Sequence, residues 1–102
     1  MSGDAGGAGP AAPVLTCRAV IRNRRGLHAR AAAKLVTLAE RFGAAIEVIY
    51  AGQSVPARSI MGLMMLGAGL GATLELCAEG WDAREALEAL AALIEAGFDE
   101  QD

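Results

Sequence analysis

His28 is the single histidine of the chain, and its position makes it the first candidate for chemistry. It follows the basic turn Arg24-Arg25-Gly26 and stands where a segment with helical periodicity begins. The first N–H groups of a helix lack partners within it, and the helix dipole favours negative charge there. Basic neighbours disfavour the protonated ring, and a neutral ring nitrogen is a nucleophile. His28 is therefore predicted to bind an anion or to accept a phosphoryl group.

A lone histidine can also have no chemical role, because it can cap a helix or simply be exposed on the surface. A metal site is disfavoured, since there is no second histidine and the two cysteines, Cys17 and Cys77, lie far apart in the sequence. We expect no metal and no cofactor. Both cysteines fall in apolar, strand-like runs, which predicts buried, reduced thiols and a reducing compartment, the cytoplasm.

The elements that must position His28 follow the order β-α-β-β-α-β-α. Runs of β-branched and apolar residues bounded by turns predict four strands, and helical spacing or helix-start signals predict three helices. Helices on one face of a four-stranded antiparallel sheet make an α/β (α+β) two-layer sandwich. The predicted strands are 15–21, 45–50, 53–56 and 72–78, and the predicted helices are 29–42, 60–66 and 83–96.

Two helices carry start signals. Ser59 precedes an apolar run and is predicted to cap the second helix. Asp82, three residues before Glu85, predicts a capping box for the last helix, whose buried face is Leu87, Leu90 and Ile94.

The second helix is unusually apolar. Spacing places Leu63 and Leu66 in the core and leaves Ile60, Met61 and Met64 near the surface, where methionine suits docking of several partners. An alternative is that all of these side chains belong to the core.

The composition of the two ends and the distribution of charge predict the limits of the domain and the nature of its surface. Residues 1–13 predict a disordered tail, 14–98 one domain, and 99–102 a short C-terminal tail. The start has no basic residue and no apolar region, so no secretory signal is predicted, and no run is long enough to span a bilayer. Basic residues dominate the first half and acidic residues the second, which suggests an acidic partner for the first half or two ordinary solvated faces.

Two segments resemble a known family. Residues 21–30, IRNRRGLHAR, are similar to the active-site signature of HPr, the histidine-containing phosphocarrier of the phosphoenolpyruvate:sugar phosphotransferase system. Residues 58–65, RSIMGLMM, resemble the family's second signature, around its regulatory serine. The likeness extends over about 15–94 and implies an open-faced β-sandwich of three helices over four antiparallel strands.

The resemblance also implies roles for residues. His28 would accept a phosphoryl group on Nδ1 from phospho-enzyme I and pass it to a IIA protein or domain, with Arg30 as partner of that group. Ser59 would be a target of HPr kinase/phosphorylase. The docking surface would comprise Ala29, Ile60, Met61 and Met64.

On this interpretation the chain is a cytoplasmic carrier, monomeric and not an enzyme, with no membrane or nucleic-acid partner. The sequence departs from the family at Ala31, where proline is usual, so the first helical turn is less rigid.

A second hypothesis is a small-ligand regulatory module on a ferredoxin-like sandwich, with the basic turn binding an anionic metabolite. A ligand module could tolerate glutamine at position 28, whereas a carrier could not. Nucleic-acid binding is disfavoured, because the few aromatic residues do not cluster with arginine.

Overall fold

The structure is a computed structural model that describes residues 14–100. The predicted tail 1–13 lies outside the described residues, as do residues 101 and 102. The observed strands are β1 (Val14–Val20), β2 (Ala45–Tyr50), β3 (Gln53–Pro56) and β4 (Thr73–Glu79). The helices are α1 (Ala29–Ala39), α2 (Ile60–Met65) and α3 (Ala83–Glu95), followed by a 3₁₀ turn, Gly97–Asp99. The predicted element order is confirmed, with the 3₁₀ turn added at its end.

The four strands form one antiparallel sheet in the order β1-β4-β2-β3. Val14 pairs with Glu79 and Val20 with Thr73, so β1 and β4 align along their full length. Alternate residues of β4 are buried, namely Leu74, Leu76 and Ala78, and they form the face that the helices cover. The opposite face is left open, which confirms the open-faced sandwich.

The helices bury the stripes that the sequence predicts. Leu87, Leu90 and Ile94 of α3 are buried, as are Leu63 and Leu66 of the α2 region. Met61 and Met65, however, are 68% and 75% exposed, so the alternative in which all of the apolar side chains of α2 belong to the core is wrong.

Helix α1 ends earlier than its apolar pattern predicts. The N–H groups of Arg41 and Phe42 donate to carbonyls three residues back, which tightens the chain into a turn after Ala39. The guanidinium of Arg58 donates to the carbonyl of Phe42 at 2.5 Å and stabilises this end. Phe42 still packs against the core, which explains why it matched the helical period.

Asp82 is the N-cap residue of α3, as predicted, but the side-chain bonds of a capping box are not formed. Its side chain makes no hydrogen bond to the helix start. The carboxylate accepts instead from the backbone N–H groups of Gly43 and Ala44, both at 2.9 Å. Gly43 and Ala44 lie in the loop just before β2, so the buried Asp82 connects that loop to the start of α3. Short-range patterning does not reveal a partner this far away in the sequence.

The cysteines are free thiols but only half-buried, which corrects the expectation of full burial. Cys17 shares the buried face of β1 with Ala19, whereas Cys77 lies on the open face of β4. Burial raises the pKa of both thiols, with a smaller contribution from nearby negative groups. Within residues 14–100, no helix is both long and apolar enough to cross a membrane.

The structure differs from the predicted C-terminal tail at Asp99 and Glu100. Phe98 is fully buried, and both Phe98 and Asp99 adopt left-handed backbone conformations, with φ of 57° and 60°. This turn redirects the chain so that the side chain of Glu100 is only 11% exposed. Residues of these types seldom adopt positive φ, so the sequence did not signal the turn.

Candidate functional site

His28 is the N-cap residue of α1, as its place in the sequence predicts. Its backbone is extended, with φ −77° and ψ −179°, and its carbonyl accepts the first intrahelical hydrogen bond, from Ala32, at 2.8 Å. The N–H groups of Ala29, Arg30 and Ala31 come before that bond and have no carbonyl partner within the helix. The imidazole makes no capping bond and is 15% exposed. A reachable ring therefore stands beside a set of backbone donors.

The loop before His28 is pinned to the loop after α2. Leu27 donates its N–H to the carbonyl of Ala68 at 3.0 Å. Gly26 has φ +66°, and a Cβ there would lie 2.6 Å from that carbonyl oxygen and 2.7 Å from the Cα of Gly69. Only glycine permits this approach. The contact thus joins the first signature segment to the loop that follows the second.

The ring of His28 is hydrogen-bonded to a carboxylate. Nε2 lies 2.5 Å from Oε2 of Glu100. Oε1 of Glu100 accepts from Nδ2 of Asn23 at 3.1 Å, and the same amide nitrogen donates to the carbonyl of Gly26 at 2.8 Å. Asn23 is 2% exposed, and its Oδ1 has no hydrogen-bond partner among the described residues. Asn23, Glu100 and His28 thus form a connected network.

Glu100 is ionised in this setting. Burial raises the pKa of its carboxyl, but hydrogen bonds from His28 and Asn23 and the charges of His28 and Lys34 outweigh burial and leave the pKa below its usual value. Sequence reasoning considered only the basic neighbours of His28 and missed Glu100 and Asn23. Asn23 belongs to the quoted signature, but no local signal marked Glu100, which is far away in the sequence. Within 14–100, no group of three acidic, His or Cys side chains is placed to hold a metal ion.

Arg30 lies in the first turn of α1 with its side chain exposed. It lines a shallow groove of about 430 Å³ beside α1, together with Lys34 and Arg41. Leu93 of α3 and Asp99 border the same groove. Three basic residues of the first half thus line one groove on and just after α1.

Ser59 is the N-cap of α2, as predicted. Its Oγ accepts from the N–H of Gly62 at 3.0 Å. A Cβ on Gly62 would lie 2.9 Å from that oxygen and 3.1 Å from Cβ of Val55, so glycine makes room for the cap. The serine is partly exposed. The structure therefore assigns Ser59 a structural role and leaves it accessible from solvent.

Exposed apolar side chains cover the outer face of α2. Ile60 is 41% exposed, Met61 68% and Met64 39%, as predicted, and Met65 is 75% exposed. We call these four residues the methionine surface. Met65 was not singled out in the sequence, although its spacing from Met61 places it on the same face. Ala29 is also exposed, at the start of α1.

Comparisons with known proteins agree with these motifs. The family model for the PTS HPr component phosphorylation site matches residues 15–96. Phosphocarrier protein NPr of Shewanella violacea is 48% identical over 80 residues, which cover 78% of this chain and 88% of that protein. Phosphocarrier protein HPr of Cupriavidus necator is 50% identical over 80 residues, covering 78% of this chain and 90% of the relative.

A solved structure is similar as well. HPr-C-His from Thermoanaerobacter tengcongensis superposes with a TM-score of 0.81 at 43% identity. The match covers 86% of this chain and 99% of that one. Sequence signatures, relatives and fold lead to one conclusion: the chain belongs to the HPr family of phosphocarriers of the phosphotransferase system.

Proposed function

We propose that the chain carries a phosphoryl group on His28, accepting it from phospho-enzyme I and passing it to a IIA protein or domain. One observation carries the proposal: a reachable imidazole lies at the start of α1, next to backbone donors without helical partners. The relatives are named as phosphocarrier proteins, which favours this role over a small-ligand regulatory module.

Phosphoryl transfer needs only a few groups from the carrier itself. A ring nitrogen supplies an electron pair to phosphorus, and the first-turn N–H groups offer hydrogen bonds to the phosphoryl oxygens. Arg30 adds positive charge on the same turn. The donor protein would supply the remaining catalysis, so the chain acts as a substrate of its partners and not as an independent enzyme.

Partner docking is proposed for the surface next to His28. The methionine surface offers adaptable apolar contact, and the basic groove of Arg30, Lys34 and Arg41 suits an acidic partner. The Gly26 contact joins the loop after α2, the helix that carries the methionine surface, to the turn before His28. The basic groove runs along α1, which begins at that turn. We propose that enzyme I and the IIA acceptor use this surface in turn, in the cytoplasm, with the carrier as a monomer.

Regulation at Ser59 forms part of the proposal. A kinase such as HPr kinase/phosphorylase would add a phosphate at the N-terminus of α2, beside the methionine surface. Partial exposure and the helix dipole are compatible with a negative group there.

The test is phosphorylation by enzyme I and phosphoenolpyruvate, followed by intact-mass measurement. We expect one acid-labile, base-stable phosphate on the wild-type chain and none on His28→Ala or His28→Gln. Equal labelling of these variants would contradict the carrier function. Retained labelling in Arg84→Ala, an exposed position of α3, controls for the loss of a surface charge away from His28.

A further inference from the structure

We propose that Glu100, held in place by Asn23, is a positioning residue that directs phosphorylation of His28 to Nδ1. This inference rests on the proposed function and deepens it, because it explains which of two ring nitrogens receives the phosphoryl group.

The hydrogen bond between Glu100 and His28 determines which ring nitrogen carries the proton. An ionised carboxylate can only accept hydrogen bonds. With Oε2 of Glu100 2.5 Å from Nε2 of His28, the proton between them belongs to the ring. A neutral imidazole carries one proton, so Nε2–H leaves the lone pair on Nδ1. The carboxylate thus selects the tautomer whose nucleophile is Nδ1.

Three contacts fix Glu100 next to the ring. The buried side chain of Phe98 anchors the turn just before it. Lys34 donates from Nζ to the carbonyl of Phe98 at 2.6 Å, which ties the turn to α1. Asn23 binds the second carboxylate oxygen. Because these contacts come from separate parts of the chain, the carboxylate is held in one orientation.

The transfer step balances on this arrangement. The Nδ1 lone pair forms the new N–P bond while the bond from phosphorus to the donor protein breaks, and that electron pair leaves with the donor. Nε2 keeps its proton, so the ring gains positive charge. The carboxylate of Glu100 faces that charge and stabilises it. Nothing is oxidised or reduced.

Replacement of Glu100 by glutamine should invert the tautomer. Asn23 cannot reverse its amide without losing the bond to the carbonyl of Gly26, so Nδ2 continues to face residue 100. A glutamine would turn its oxygen toward Asn23 and its NH₂ toward His28. Nε2 must then accept, the proton moves to Nδ1, and the nucleophile is lost.

The experiment labels the single histidine with ¹⁵N and reads the two ring shifts at a pH that keeps the ring neutral. Wild type should carry its proton on Nε2, Glu100→Gln should carry it on Nδ1, and Glu100→Ala should show an average of the two. Glu88→Gln makes the same change at an exposed position of α3 outside the groove of Arg30, and is the matched control. Its shifts should equal those of wild type, and thermal unfolding checks that each variant is folded.

Phosphorylation rates supply the second readout. Glu100→Gln should be phosphorylated at least about tenfold more slowly than wild type, as expected for a wrongly protonated imidazole. Glu88→Gln should keep the wild-type rate. A wild-type ring protonated on Nδ1, or a Glu100→Gln variant with wild-type shifts and rate, would overturn the proposal. Absence of phosphate on wild-type protein would reject the carrier function instead, and the ring shifts would still decide whether Glu100 selects the tautomer.

Discussion

His28 stands near two chemically different sets of groups. Glu100 lies against Nε2, and His28 itself begins the first turn of α1, which carries Arg30. The carboxylate suits a ring that becomes positive, whereas the backbone donors and the guanidinium suit a phosphoryl group that is negative. Both charges produced by transfer therefore have a candidate partner near the ring.

Arg30→Ala should slow phosphoryl transfer roughly a hundredfold without unfolding the protein, because loss of one charge-stabilising donor costs about that much. The side chain is exposed and contributes little to packing, so the thermal midpoint should stay near that of wild type. Quench-flow transfer rates provide the measurement. Arg84→Ala removes an equal charge from an exposed position at the start of α3, outside that groove, and should keep the wild-type rate. Equal rates for Arg30→Ala and wild type would exclude Arg30 from the site.

At the scale of elements, local signals predicted where most helices and strands lie. The apolar run 45–50 and the turn at Gly52 predicted β2 and β3 with their observed bounds, and the serine signal predicted the cap of α2. Contacts between distant segments were not predictable from local pattern. Asp82 binds the loop before β2, and Glu100 reaches His28 through a turn with positive φ. The candidate site was therefore predicted at His28, Arg30 and Ser59, but not at the network behind the ring.

Ser59→Asp should slow phosphorylation of His28 about tenfold while leaving the thermal midpoint near that of wild type. Aspartate caps helices well, so α2 should form, but the new charge adjoins the methionine surface that partners would cover. Ser59→Asn is the matched control, because it can cap the helix without charge. The two measurements, unfolding and transfer rate, should be made side by side. Wild-type transfer by both Ser59→Asp and authentic phosphoserine would leave Ser59 with capping alone.

At the scale of the whole molecule, hydrogen bonds to Glu95 connect the end of α3 to the edge strand β1 and the residues just after it. Glu95 accepts from the backbone N–H of Val20 at 2.6 Å and from Arg22 at 3.1 Å. The hydrogen bond from Val20 is the main reason that the pKa of Glu95 lies below its ordinary value of 4.5, with Arg22 adding to the effect against some burial. Because the folded pKa is the lower one, this stabilisation is present above pH 4.5 and is lost as the pH falls through the folded value.

Urea unfolding should therefore show stability falling as the pH drops from 7 toward about 3. Glu95→Gln should be less stable than wild type at neutral pH and should lose less on acidification, because its amide does not titrate. Glu88→Gln, an exposed position on the same helix, should follow the wild-type curve. Parallel curves for wild type and Glu95→Gln would show that Glu95 has no part in acid sensitivity.

The central claim is that one chain accepts a phosphoryl group on His28 and gives it up again. The direct measurement follows ³²P from phosphoenolpyruvate through enzyme I to an added IIA protein, with this chain as the only intermediate. Label should reach the IIA protein with wild-type chain and should not reach it with His28→Ala. Label that arrives equally fast with His28→Ala, or that stays on the wild-type chain and is never passed on, would contradict the account.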